Sequence, residues 1–262
     1  MLELAAYGAR RRFKGALALS IGLSAFSALY AAFFPSFQGT LDIEAYVEAL
    51  PPVFVEAFGL RAFDTIEGFL ATELYQFAWV ILLGLYLAYS AASLIAGDVE
   101  DGRMDLLLAL PVSRARIVGE RYLSLVPGIL VINVVVAAVT WVATRAIGYP
   151  IGTADLVIVH ALSLPYLFAC AAIGLALSVL ADRASVAQRA AMAVVFGLFL
   201  LESLVSSTDY SWAGAVAPMR YFDPTAILVD GSYDLAGAAI LTGATLALVA
   251  GSQWYFRRKD VN

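Results

Sequence analysis

The feature that most constrains this chain is a series of long apolar runs, each about 20 residues, with almost no Asp, Glu, Lys or Arg inside them. The hydrocarbon core of a bilayer is roughly 30 Å thick, and about 20 helical residues cross it. Runs of that kind fall at about 15–34, 71–96, 122–144, 155–180, 190–205 and 235–256. They are continuous and rich in Leu, Ala and Val. Strands of a membrane barrel would instead alternate apolar and polar residues over roughly ten positions, so the runs read as helices. Composition points the same way: 62% of the residues are hydrophobic and 14% charged, against roughly a quarter charged in soluble domains. The expected fold class is an all-α integral membrane protein with six transmembrane helices. No loop is long enough for a separate soluble domain, so residues 1–262 read as one transmembrane domain.

The connections set an orientation. Of the 16 Lys and Arg residues, thirteen lie in the N-terminus, the 97–121 and 182–189 loops and the C-terminal tail, and only Arg61, Arg145 and Arg220 lie on the other side. Basic residues are retained in the cytoplasm, so both termini are predicted to be cytoplasmic in a multi-pass protein of the cell membrane. Residues 1–14 carry Arg10, Arg11, Arg12 and Lys14 among Leu2, Leu4, Tyr7 and Phe13, the composition of an N-terminal interfacial helix resting on anionic headgroups. Residues 35–70 are acidic, with Asp42, Glu44, Glu48, Glu56, Asp64 and Glu67. They read as an outer loop with a surface-lying helix interrupted at Pro51 and Pro52.

Catalytic signals are absent from the sequence. There is no GxxxxGK[ST] motif for nucleotide binding, and no catalytic, cofactor-binding or metal-ligating set is expected. His160 is the sole histidine, too few for paired haem ligands, and is expected to make a hydrogen bond near the outer end of the fourth helix. Cys170, the sole cysteine, lies in an apolar run and reads as a buried inert thiol.

The most informative connection is the 97–121 loop: an acidic helix end, an amphipathic piece with Met104, Leu106, Leu107, Leu108 and Leu110, a break at Pro111 and a basic helix start. The order Glu100, Gly102, Leu107, Leu108, Pro111, Val112, Ser113, Arg114 resembles the E-x-G-T-x-x-x-L-L-x-x-P-[IV]-S-R signature of ABC-2 type transporter permeases. Arg103 replaces the usual Thr, and Glu120 with Arg121 stands where Gly-Lys is common. The six-helix plan, the long first outer loop and the Pro-containing loop before the last helix resemble the family along the whole chain.

The resemblance implies a permease subunit of an ATP-driven ABC transporter, without its own catalytic site or cofactor. ATP and Mg would be bound by a partner ATP-binding subunit, and a second permease chain, as a homodimer, and membrane lipid would be the other partners. No nucleic-acid partner is expected. Short cytoplasmic coupling helices would dock the ATPase: Glu100, Gly102, Leu107, Pro111, Ser113 and Arg114 in the first element, and Asp182, Arg183, Gln188 and Arg189 in the second.

Two rival readings remain on residues alone. An ion-coupled secondary transporter would want ionisable groups near mid-membrane, yet Glu73, Arg145, Asp155 and Glu202 fall at predicted helix ends and Asn133 is the clearest central polar group. A CDP-alcohol phosphotransferase could begin with Asp98 and Asp101, but its downstream carboxylate pair is missing. Three packing features complete the reading. Pro127 and Pro165 are expected to kink the third and fourth helices. Ala239, Gly243, Ala247 and Gly251 form a small-residue stripe expected to pack within the chain. Tyr221 and Phe222, in the loop 217–225, are expected at headgroup depth.

Overall fold

The computed structural model describes residues 2–37, 50–51, 54–55 and 62–259. Among the described residues every regular element is helical, and six helices are long and apolar enough to cross a membrane. The outer-loop helix with its break at Pro51 and Pro52 lies largely outside the described residues.

Helix α1 (Glu3–Phe37) is continuous, so the basic N-terminal segment is helical as expected but runs without a break into the first span. Its 35 residues reach roughly 50 Å at 1.5 Å each, well beyond a 30 Å core, and the Arg-rich third projects past the apolar part. The second span is assembled from pieces. Thr65 accepts a hydrogen bond from the Gly68 amide (3.1 Å) to cap α2 (Ile66–Leu70). A π-helical stretch (Ala71–Leu83) follows, then α3 (Gly84–Ala92) and, after a turn at 93–95, α4 (Ala96–Glu100). Wide helical turns of this type recur at functional sites.

Two short helices, α5 (Arg103–Leu108) and α6 (Arg114–Leu123), fill the connection to α7 (Val126–Ala146). Pro127 sits in the first turn of α7, where a missing amide costs nothing, so it marks a helix start rather than the expected kink. Pro165 lies inside α8 (Thr153–Leu180). Helix α9 (Ala184–Val205), 3-10 turns at Ser211–Val216 and Pro218–Tyr221, α10 (Pro224–Leu228) and α11 (Leu235–Arg258) complete the fold.

Helix α8 is the hub: it packs on α3, α7, α9 and α11, while α1 lies along α7. The α3–α8 crossing is held so close that a Cβ at Gly174 would stand 2.1 Å from the Ala88 carbonyl oxygen. Several polar groups in this interior are paired. Asn133 Oδ1 accepts from Ser163 (3.0 Å) and from His160 Nδ1 (3.2 Å), which leaves His160 Nε2 to accept from the Tyr75 hydroxyl (3.0 Å). His160 thus makes the hydrogen bonds anticipated for it, and Cys170 is buried. Tyr166 donates to the Val80 carbonyl (2.8 Å) in the π-helical stretch and stacks on Phe222 at 5.7 Å.

Phe222 is only 3% exposed, buried against Tyr166 where the loop before α11 folds back on α8 and the π-helical stretch. One packing expectation is corrected. The stripe of Ala239, Gly243, Ala247 and Gly251 is exposed, and a Cβ at Gly243 or Gly251 would meet nothing within 4 Å. Helix α11 packs instead through Gly237, Leu241, Thr245, Ser252 and Phe256, a parallel row that begins with the same spacing of four. In the most apolar stretch of α9 only 17% of residues are buried and in that of α11 22%, against 56% for α8, so the two helices turn most of their apolar surface outward.

Candidate functional site: a knotted basic end of the bundle

The site grows from one turn. Gly102, at φ 67°, adopts the left-handed conformation that stops α4 and starts α5, a geometry a side chain would strain. Upstream, the two first amides of α4, Ile95 and Ala96, both donate to the Ser178 hydroxyl of α8 (2.9 and 3.0 Å), so α4 is seated on the central helix. Downstream, Met104 is buried while Leu106 is 72% exposed and Leu110 48%. Helix α5 is therefore seated through Met104, with Leu107 and Leu108 partly packed, and presents Leu106 outward. Leu107 lies half-buried between the two and Pro111 is exposed where the chain turns. Ser113 then caps α6 by accepting from the Arg116 amide (3.3 Å).

The charges on this end are organised around Asp98, which is 4% exposed. It pairs with Arg103 (3.0 Å) from α5 and with Arg121 (2.5 Å) from α6, and Arg103 also reaches Asp101 (2.6 Å). The hydrogen bond to Asp98 raises the Arg103 guanidinium further above its ordinary value, so it stays charged. The Arg that replaces Thr in the signature thus holds α5 against α4. Both carboxylates of the Asp98–Asp101 pair are thus engaged by guanidinium groups.

The second predicted element lies against the first. Glu100 accepts from the backbone amide of Ala184 (2.8 Å), the first residue of α9, and so caps that helix from the end of α4. Asp182 pairs with Lys259 (2.7 Å) just past α11, and the same ammonium donates to the Val179 and Ala181 carbonyls (3.1 and 3.3 Å) at the end of α8. The Arg114 guanidinium closes the loop by donating to the Lys259 carbonyl. Arg114 and Asp182 are thereby joined through Lys259, and Glu100 lies beside them at the start of α9; Gly102 and Ser113 shape the adjoining helices, while Gln188 is half-buried within α9. Arg183 and Arg189 are exposed, and Arg189 donates within its own helix to the Ser185 carbonyl (3.0 Å).

Sequence reasoning missed two residues here. Lys259, one of two lysines in the chain, ties three helix ends together. Glu120, 3% exposed, accepts from the Leu4 and Ala5 amides (3.0 and 3.2 Å) and from Arg116 (2.6 Å), capping α1 from α6. The signal for Glu120 was its departure from the signature; for Lys259 it was a lone lysine directly after a long helix.

The assembled surface joins the ends of α1, α4, α6, α8, α9 and α11 and presents Leu106 and Leu110 outward. Against protein-family models, residues 13–261 match that of the ABC-2 family transporter proteins. No curated protein matches the chain.

Proposed function

The chain belongs to the ABC-2 transporter family and is a multi-pass membrane subunit of a transporter; from that premise we propose that it is driven by ATP hydrolysed in a separate subunit docked on the surface around α5. The observation that carries this reading is the Glu100–Ala184 hydrogen bond, because it joins the two segments expected to couple. In this reading the partner binds ATP and Mg, both termini lie in the cytoplasm, and this chain has no catalytic site of its own. A second copy completes the substrate path, and the outward stripe on α11 supports a homodimeric seam. Closure of the ATPase pushes α5, and the links through Glu100, Arg114 and Glu120 carry that displacement to α9, α11 and α1. Nucleotide thereby biases a two-state bundle rather than reacting within it.

The test is co-purification with candidate ATP-binding subunits from the same genome. Leu106→Glu and Leu110→Glu change exposed side chains and are expected to leave the monodisperse profile intact while lowering retention of the subunit at least tenfold. A well-folded wild type that retains none of the candidates would remove the reading and bring an ion-coupled carrier forward.

A further inference from the structure

A half-open cavity of about 170 Å³ lies between the basic third of α1, helix α3 and the start of α7. Its walls are of two kinds. Arg11, Arg12, Ser90 and Tyr86 supply cationic and hydroxyl groups, whereas Leu125, Ile129 and Ile132 extend the cavity along the apolar interior. The volume is about an order of magnitude more than one water needs on the same measure, and the polar part lies at the basic end of the bundle.

The electrostatics there are unbalanced. Arg12 is half-buried, yet among the described residues neither it nor Arg11 has an ion pair. Arg12 lies within electrostatic reach of Asp98, but that carboxylate is engaged by Arg103 and Arg121, and Arg121 itself repels Arg12. A partly desolvated guanidinium in this position calls for an anion from outside the chain. Close approach on either side frames the space: a Cβ at Gly8 of α1 would meet Ser124, at the end of α6, at 2.8 Å and one at Gly128 of α7 would meet Ala16 at 3.2 Å, while a Cβ at Gly15, on the cavity wall, would meet nothing within 4 Å.

We propose that this cavity binds the phosphate headgroup of an anionic phospholipid, with Arg12 and Arg11 on the phosphate, Ser90 and Tyr86 on its oxygens or on the glycerol, and an acyl chain leaving along Ile129 and Ile132. The apolar half of the wall favours an amphiphile over soluble phosphate, and guanidinium groups recognise phosphate through paired hydrogen bonds. Basic pockets between membrane helices are suited to such headgroups. The lipid would neutralise the Arg pair and bridge α1 to α3 and α7, a site separate from the surface around α5.

The experiment is native mass spectrometry of the full chain released from phosphatidylglycerol or phosphatidylcholine nanodiscs, with thermal melting in parallel. The expected result is one phosphatidylglycerol retained per chain and no comparable retention of phosphatidylcholine. Arg12→Gln and Gly15→Leu, which respectively remove the cation and fill the cavity, lower retention at least fivefold, whereas Arg10→Gln and Gly22→Leu on the same helix do not. Gly15→Leu keeps every charge and Arg12→Lys keeps the cation, so a folding defect in Arg12→Gln would not shield the proposal. Equal loss with Arg10→Gln, full retention in Gly15→Leu, or binding of inorganic phosphate as tight as that of the lipid would overturn it.

Discussion

Glu120 shows how a single departure from a family pattern can acquire a structural task. Its carboxylate takes two of the four amides that the start of α1 cannot satisfy internally and also holds Arg116. Replacing it by Ala leaves those amides and a guanidinium without their acceptor. The expected cost is roughly 2 kcal/mol, the scale of losing charge-assisted hydrogen bonds at a nearly buried site. Glu120→Gln keeps an acceptor and loses less. Thermal unfolding in detergent reads the difference, and limited proteolysis of the first α1 turns reads its location; an unchanged midpoint in Glu120→Ala would show the cap to be dispensable. Residues of this kind were hard to see beforehand for a plain reason: Glu120 and Leu4 are 116 positions apart, and nothing in a linear pattern couples them. Gly102 and Ser113 were legible because their tasks are local, a left-handed turn and a helix start, whereas the bond from Glu100 to the Ala184 amide, 84 positions away, was as hidden as that of Glu120.

Among the elements, the spans were readable because the bilayer imposes a length and an apolar character on each of them. Their faces were not. The stripe Ala239–Gly243–Ala247–Gly251 and the packed row Gly237–Leu241–Thr245 share the same spacing of four, so spacing could not say which row turns inward. The π-helical stretch Ala71–Leu83 was equally hidden, since widened turns leave composition unchanged. Close approach makes the contrast measurable. Gly174→Ala places a methyl against the Ala88 backbone, which cannot rotate away, and is expected to cost about 1–3 kcal/mol, the usual penalty of overpacking. Gly243→Ala meets open space and is expected to leave the melting point within error. Equal melting of the two variants would mean that the α3–α8 crossing yields at little cost.

At the scale of the whole molecule, the outward surfaces of α9 and α11 face either lipid or a second copy, and both are apolar, so burial alone does not separate the two. A stripe of small residues does discriminate, because in lipid it gains nothing over Leu, whereas against another helix it permits close backbone approach and the dispersion contacts that drive association within a membrane. The chain is well suited to the test. Its one cysteine, Cys170, is buried, so Gly243→Cys introduces a single accessible thiol without a background to remove. Disulfides form only when the two Cα atoms come within about 7 Å. If α11 pairs with its counterpart across a two-fold axis near Gly243, mild oxidation of native membranes gives a covalent dimer in high yield. Val157→Cys, at an exposed position on α8, serves as the collision control and is expected to give far less. A dimer band no stronger at Gly243 than at Val157 would assign the stripe to lipid and move the homodimer seam to another face, leaving the docking surface around α5 and the lipid cavity beside α1 to be judged by their own experiments.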